Sequence, residues 1–476
     1  MDPARLVSPG ALDDGVMTVD TTTQPGRLTA ALIWTLAALA ALFLVWPVWR
    51  AFLPLEIWGN EGWNAYHADT VLRGGMLYPP PGGLVANNYP PLSFYIVAAL
   101  ARLFGDPLYV GRALSILATL GTGVAASMVV RRFGGSRAAS LIAGFWFVAT
   151  MARFFEYYVG MNEPQLLGQV IMVWGLVWLL RRHAEGRAVE PAVLVMVAAG
   201  FVKHNAIVVP LVALFWVARD DWRLGLRAAI AGAVAAALGL ALCALVFAPH
   251  FIADMLLPRT YEVARSFSNL GRLQFILPAL LLWAIWAWSK RDSRPARFTA
   301  LLIGAGLVMY MVQKAGSGVD ENAQFELIFA AAIGIGLAYD RLPSDPLRTG
   351  WSPNAIRLAV LGVLIARLLL STRLEFAAVL VSPQYRAMAA EHAAVARSEA
   401  ARVAAIPGPV GCSNLVICRA AGKPFVFDPF KADMMVATGA VTAAQLYDLV
   451  RRQAIVLDTT DPRANVTSLW RRMRSD

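Results

Sequence analysis

The sequence predicts an all-α polytopic membrane protein of about 11 transmembrane helices, followed by a small C-terminal α/β domain. Three observations predict it. Hydrophobic residues make up 58% of the 476 and charged residues only 15%, with a mean hydropathy of +0.56, well above a soluble average. Apolar runs reach the roughly 20 helical residues that a hydrocarbon core requires: Leu28–Val48 is 21 residues without a charge and Ala228–Pro249 is 22. From about residue 373 the hydropathy falls, and charged helix-like stretches alternate with short strand-like runs. These observations exclude a soluble enzyme or a DNA-binding domain. The net charge of +11 is spread through loops rather than gathered on one face, so it does not point to nucleic acid.

The elements follow in order. Residues 1–27 are polar and rich in Pro, Gly, Thr and Asp, the composition of a disordered cytoplasmic tail. The first apolar run has no small-residue cleavage site after it and is expected to be a retained helix rather than a signal peptide. Further apolar segments stand at 108–130, 138–155, 164–180, 191–202, 206–218, 228–249, 273–289, 298–313, 325–339 and 357–372. The loops between them divide by charge. Loops 131–137, 181–187, 219–227, 290–297 and 341–357 hold 16 Lys or Arg in 48 residues, whereas 54–107, 153–163, 203–205, 250–272 and 314–326 hold 8 in 104. The positive-inside rule makes the first set cytoplasmic.

Charge parity then decides two short stretches. Residues 92–104 are apolar but too short to span easily, and fit a helix lying at the outer interface. Residues 191–218 have basic flanks on both sides, which two short helices meeting at Lys203-His204-Asn205 would keep on one side. The same parity puts residues 373–476 outside as an α/β appendage. There Cys412 and Cys418 stand six apart in a compartment that permits a disulfide, and sequence leaves open whether they meet. Cys243 is a buried membrane thiol, and three cysteines make no disulfide framework.

The first external loop, 54–107, carries the most information. It runs Trp58-Gly59-Asn60-Glu61-Gly62-Trp63, continues to Tyr78, and closes through Asn87-Asn88-Tyr89-Pro90-Pro91-Leu92. A loop this long is usually functional or disordered, and its aromatic content argues against disorder. Glu61 puts a carboxylate at the outer face just after the first crossing.

An acid-Gly-aromatic start, a small-residue helix, Gly-x-x-Tyr and Asn-Tyr-Pro-Pro-Leu together resemble the first external loop of GT-C glycosyltransferases. The bacterial branch related to protein mannosyltransferases and aminoarabinose transferases is the most similar. Tyr158–Gln165, Gly200–Asn205 and Lys314–Glu326 agree with it, and the resemblance covers 28–372 in layout. It implies transfer of a sugar from a polyprenyl-phosphate carrier to a lipid, glycan or protein acceptor at the periplasmic face of the inner membrane, with inversion. It also implies that Glu61 is the general base. The family commonly shows Asp-Glu here; this chain has Asn60-Glu61, which leaves one carboxylate.

A hydroxyl needs a positioned base to attack, and a leaving phosphate needs cations. Glu163 is the second catalytic candidate, although an acid there also suits a helix N-terminus. Lys203, alone in an apolar hairpin, is a candidate phosphate contact, with snorkelling to the interface as its bland alternative. Arg112 could pair with phosphate, Arg259 could line the carrier entrance, Asn322 and Glu326 could bind sugar hydroxyls, and Tyr89 a sugar face. An interfacial aromatic belt, surface arginines and a solvated turn account for the same residues without a substrate. No His, Cys, Asp or Glu cluster has metal-ligand spacing, so no cofactor is expected, and a divalent metal stays open without support from ligand spacing. The main competing class is a transporter or flippase of lipid-linked sugars. It would place broken helices and charges near the midplane, and only the 191–218 hairpin does so.

Overall fold

The computed structural model describes residues 26–342, 351–371 and 374–472. Residues 1–25 of the expected tail and 343–350 of the last basic loop lie outside the described residues.

Each of the eleven apolar segments holds a helix. They are α1 (Arg27–Arg50), α4 (Pro107–Arg132), α5 (Arg137–Phe154), α6 (Pro164–Ala184), α7 (Glu190–Val202), α8 (Val208–Asp220), α9 (Trp222–Val246), α12 (Leu277–Ser289), α13 (Arg294–Lys314), α14 (Phe325–Arg341) and α15 (Pro353–Leu369). Their starts follow from local chemistry. Asp106, Ser136, Glu163, Asp221, Ser293 and Ser352 each accept a backbone N–H at a helix N-terminus, and Pro follows four of them at the first turn. Six helices among the described residues are long and apolar enough to cross a membrane, or seven if the pair Val263–Phe275 and Leu277–Ser289, bent by 85°, is one span. The 191–218 stretch is two 13-residue helices, α7 and α8, broken at 203–207.

The same hydropathy serves two opposite environments. In α14, 94% of the apolar window is buried, because Ala330, Ala331, Ala332, Gly334, Gly336 and Ala338 let α4, α5, α12 and α13 approach closely. In α9 only 11% is buried, and Leu238, Leu242 and Leu245 face outward, as a lipid-facing helix requires.

The basic loops gather at one end of the bundle. There Arg341 donates to the Phe133 carbonyl, Arg132 to that of Leu180, and Asp220 bridges His183 and Arg294. At the other end lie two helices of the first loop, α2 (Asn60–Leu72) and α3 (Leu92–Phe104), with short α10 (Phe251–Met255) and α11 (Val263–Ser268).

The chain after α15 packs on that second end. It comprises α16 (Glu375–Val381), α17 (Pro383–Ala405), α18 (Leu415–Ala420), α19 (Pro429–Ala437), α20 (Ala443–Arg452), α21 (Val466–Arg472), and strands β1 (Val410–Cys412) and β2 (Val456–Asp458). The strands pair in parallel, with Gly411 opposite Leu457. Cys412 and Cys418 are bridged, tying β1 to α18. Helix α18 lies against α2 so closely that a Cβ at Gly62 would stand 2.5 Å from that of Leu415. Arg419 clamps Asp69 and Asp106 at 2.7 and 2.8 Å, and Trp63 donates its indole N–H to Asp428 at 3.0 Å.

Glu56 joins the first loop to the last segment. Its backbone bridges to Asn465, and its carboxylate accepts from the Asn465 amide at 3.3 Å. Burial, and next the Glu61 carboxylate, push Glu56 up to about 8. Burial raises Asp428 to about 6 and lowers His67 to about 3. A carboxyl with a raised folded pKa stabilises the fold at low pH and loses that contribution between its unfolded and folded values; the buried neutral His67 acts in the opposite sense below about 6.5. Between pH 6.5 and 8 the Glu56 contribution is therefore not offset by His67. The expected result is a loss of stability over that window on the order of 2 kcal/mol, read as a lower thermal midpoint. Glu56→Gln should flatten it, measured by unfolding scans of the two proteins side by side.

Candidate active site

Glu61 sits in the first turn of α2, one residue after Asn60, where a helix N-terminus favours an acid. It is 0% exposed, as is Arg112 in the second turn of α4. The two meet as a bidentate pair, Nε to Oε1 and Nη2 to Oε2, both at 2.7 Å. The remaining donors of Arg112 go to the carbonyls of Ala51, Leu53 and Leu55 at 3.1, 2.6 and 2.6 Å. Glu61 in turn accepts the backbone N–H of Ile57 at 2.9 Å and of Asn162 at 3.1 Å. The pair thus ties the chain leaving α1 to the 155–163 loop. Gly111 makes this approach possible, since a Cβ there would stand 1.9 Å from the Asn162 side-chain oxygen.

A second buried pair begins one residue beyond Asn162. Glu163 Oε1 receives Lys203 Nζ at 2.7 Å, while Oε2 caps α6 through the Gln165 N–H at 2.6 Å. Lys203 Nζ also lies 3.3 Å from the centre of the Tyr89 ring, a cation–π contact. Tyr89 continues into an aromatic cluster with Trp63, which packs on His67 and Phe94. A water-sized cavity of about 10 Å³ is lined by Asn64, Ser93, Asn162 and Glu163. A larger one of about 210 Å³ is lined by Ile57 and Trp58 among others.

The fold therefore unites Glu61 with Arg112, and Glu163 with Lys203 and Tyr89, across residues adjacent in sequence. Asn322 reaches the same region, donating to the Gln165 side chain at 3.2 Å. Glu326 accepts the Val209 N–H at 3.1 Å and so caps α8 at the broken hairpin. Arg259 stands apart, its guanidinium 5.6 Å from the Phe430 ring of the C-terminal segment. Sequence reasoning missed Arg50, which ends α1 and looks like an ordinary interfacial cation, and the contacts of Asp320 with Tyr157 and Tyr158 at 3.1 and 3.4 Å. Among the described residues no three His, Cys, Asp or Glu come together as a metal site.

Residues 88–252 match the family model of dolichyl-phosphate-mannose-protein mannosyltransferases. Among solved structures, ArnT from Cupriavidus metallidurans bound to undecaprenyl phosphate is similar over 89% of both chains, with a TM-score of 0.55 and 17% identity. An oligosaccharyltransferase from Archaeoglobus fulgidus is similar over 90% of this chain and 69% of its own, with a TM-score of 0.52 and 11% identity. The chain has the fold of the GT-C glycosyltransferases. No curated protein matches it in sequence. In this GT-C fold the two buried ion pairs lie at the end opposite the basic loops, beneath the first loop and the C-terminal segment.

Proposed function

We propose that the chain is an inner-membrane glycosyltransferase that moves a sugar from a polyprenyl-phosphate carrier to an acceptor hydroxyl or amine at the periplasmic face. The observation that carries this reading is the pair of buried acid–cation couples, Glu61–Arg112 and Glu163–Lys203, side by side in a GT-C fold. The relative bound to undecaprenyl phosphate supports the carrier class. In this reading about 11 helices cross the membrane over 28–372, the N-terminal tail at 1–27 is cytoplasmic, and residues 373–476 form a periplasmic domain over the site.

The acceptor oxygen or nitrogen attacks the anomeric carbon from the face opposite the carrier. The bond from that carbon to the phosphate oxygen breaks, its electron pair leaves with the phosphate, and the acceptor proton passes to Glu61. The configuration inverts. Glu61 holds four hydrogen bonds in the described conformation, so one backbone donor must give way to the acceptor. The Ile57 N–H is the donor to exchange, while the Arg112 fork keeps the carboxylate aimed. Lys203, held by Glu163 and Tyr89, supplies positive charge to the leaving phosphate.

The test is transfer of label from radiolabelled polyprenyl-phosphate sugars to an envelope extract by purified protein in liposomes. A new labelled product supports the reading. Carrier-linked sugar that crosses the bilayer without transfer would replace it with a flippase.

A further inference from the structure

The larger cavity is built by three separate parts of the chain. Arg50, Ile57 and Trp58 come from the end of α1 and the first loop, Tyr157 from the 155–163 loop, and Arg272, Asp320 and Glu321 from the segments flanking α12 and α13. The last wall is Val466 and Thr467 of α21, held in place by the Glu56–Asn465 bridge.

Its chemistry is mixed in a specific way. Arg272 is paired with Glu321 at 2.8 Å. Arg50 is 0% exposed; its Nη2 donates to the carbonyls of Glu156 and Val159, while Nε and Nη1 have no hydrogen-bond partner among the described residues. Asp320 and Glu321 add acceptors to the same cavity wall. Trp58 and Tyr157 stand with ring centres 5.7 Å apart, and Trp58 remains 46% exposed. Two carboxylates beside two guanidinium groups oppose a phosphate. Donors and acceptors around an aromatic face suit a ligand whose groups both give and accept hydrogen bonds. At about 210 Å³ the cavity is below the roughly 300–1,000 Å³ of drug-sized ligand pockets, which sizes it for a single ring.

We propose that this cavity is a subsite for one neutral monosaccharide unit, and that the C-terminal segment completes it through Val466 and Thr467. The proposal rests on the glycosyltransferase reading for the biological source of the sugar, which is either the donor or the acceptor. It gives the C-terminal segment a direct part in sugar selection, because Val466 and Thr467 form one wall of the cavity.

The experiment is saturation-transfer NMR on the purified full chain in detergent, with a panel of methyl glycosides of common hexoses, pentoses and amino sugars. Wild type should give a saturable signal with at least one. Thr467→Trp, which fills the cavity, and Trp58→Ala, which removes an already exposed ring, should each weaken that affinity at least tenfold with the thermal midpoint kept. If Thr467→Trp unfolds, Trp58→Ala decides. No saturable signal from any glycoside, or wild-type binding in the folded variants, overturns the proposal. Competition by a polyprenyl-phosphate sugar assigns the subsite to the donor; competition by a glycan alone assigns it to the acceptor. The transfer assay is run on the same preparations. Sugar binding without transfer would overturn only the transferase reading, and transfer without cavity-dependent binding only this subsite.

Discussion

Glu61→Gln is expected to lower kcat for sugar transfer by ~100-fold or more, the range of a lost general base, while the protein stays folded and still binds the carrier. The amide is isosteric and its oxygen still accepts, but its NH2 faces an Arg112 N–H and a backbone N–H, so the variant also gives up part of the buried pair's stability. Arg112, left without its carboxylate, keeps three carbonyl partners at Ala51, Leu53 and Leu55. The opposite truncation behaves differently. Arg112→Met strands a buried carboxylate on two backbone N–H groups and leaves three carbonyls without their donor. Removing one partner of a buried pair costs about 3–5 kcal/mol, and the three stranded carbonyls add to it, so the Arg112 variant should lose more stability than Glu61→Gln, and transfer with it. The contrast separates chemistry from scaffolding. A folded Glu61→Gln protein that transfers at the wild-type rate would make the pair a clasp for the loop and nothing more. Carrier binding, the thermal midpoint and kcat measured on both variants check the whole set.

The helices were legible because a hydrocarbon solvent imposes a simple rule on side chains, and capping residues such as Asp106 and Ser293 punctuate it. Even the break at Lys203 could be deduced, from basic residues on both sides of 191–218. Hydropathy could not tell α9 from α14, since lipid and a crowded protein interior favour the same residues. The candidate site was legible one residue at a time, and its pairings were not. Glu61 and Arg112 stand 51 positions apart, and nothing local to Arg112 distinguishes a bidentate partner from a snorkelling cation. The contacts of Arg419 with Asp69 and Asp106 span more than 300 positions and depend on the C-terminal segment folding back. Likewise, the bridge between Cys412 and Cys418 required the turn between β1 and α18, a geometry that a six-residue spacing does not dictate.

Lys203 gives the other large effect, and here charge balance matters more than the residue alone. Its ammonium is buried between the Glu163 carboxylate and the Tyr89 ring. Lys203→Gln leaves Glu163 uncompensated in a buried site, so a loss of about 3–5 kcal/mol accompanies whatever happens to the substrate. Glu163→Gln in the same chain removes that second charge, and the neutral pair can hydrogen-bond across the 2.7 Å contact. The double variant should therefore recover most of the midpoint that Lys203→Gln loses. If Lys203 serves only the fold, transfer recovers with it. If it also meets the carrier phosphate, KM for the donor stays raised by ~10-fold or more in the stable double variant, as the loss of a charge-assisted contact of about 1.5–3 kcal/mol requires. Lys203→Arg, which keeps the cation, should then bind donor better than the double variant does. Recovery of wild-type donor KM in the neutral pair would remove Lys203 from the substrate site and leave it as the buried partner of Glu163, which caps α6.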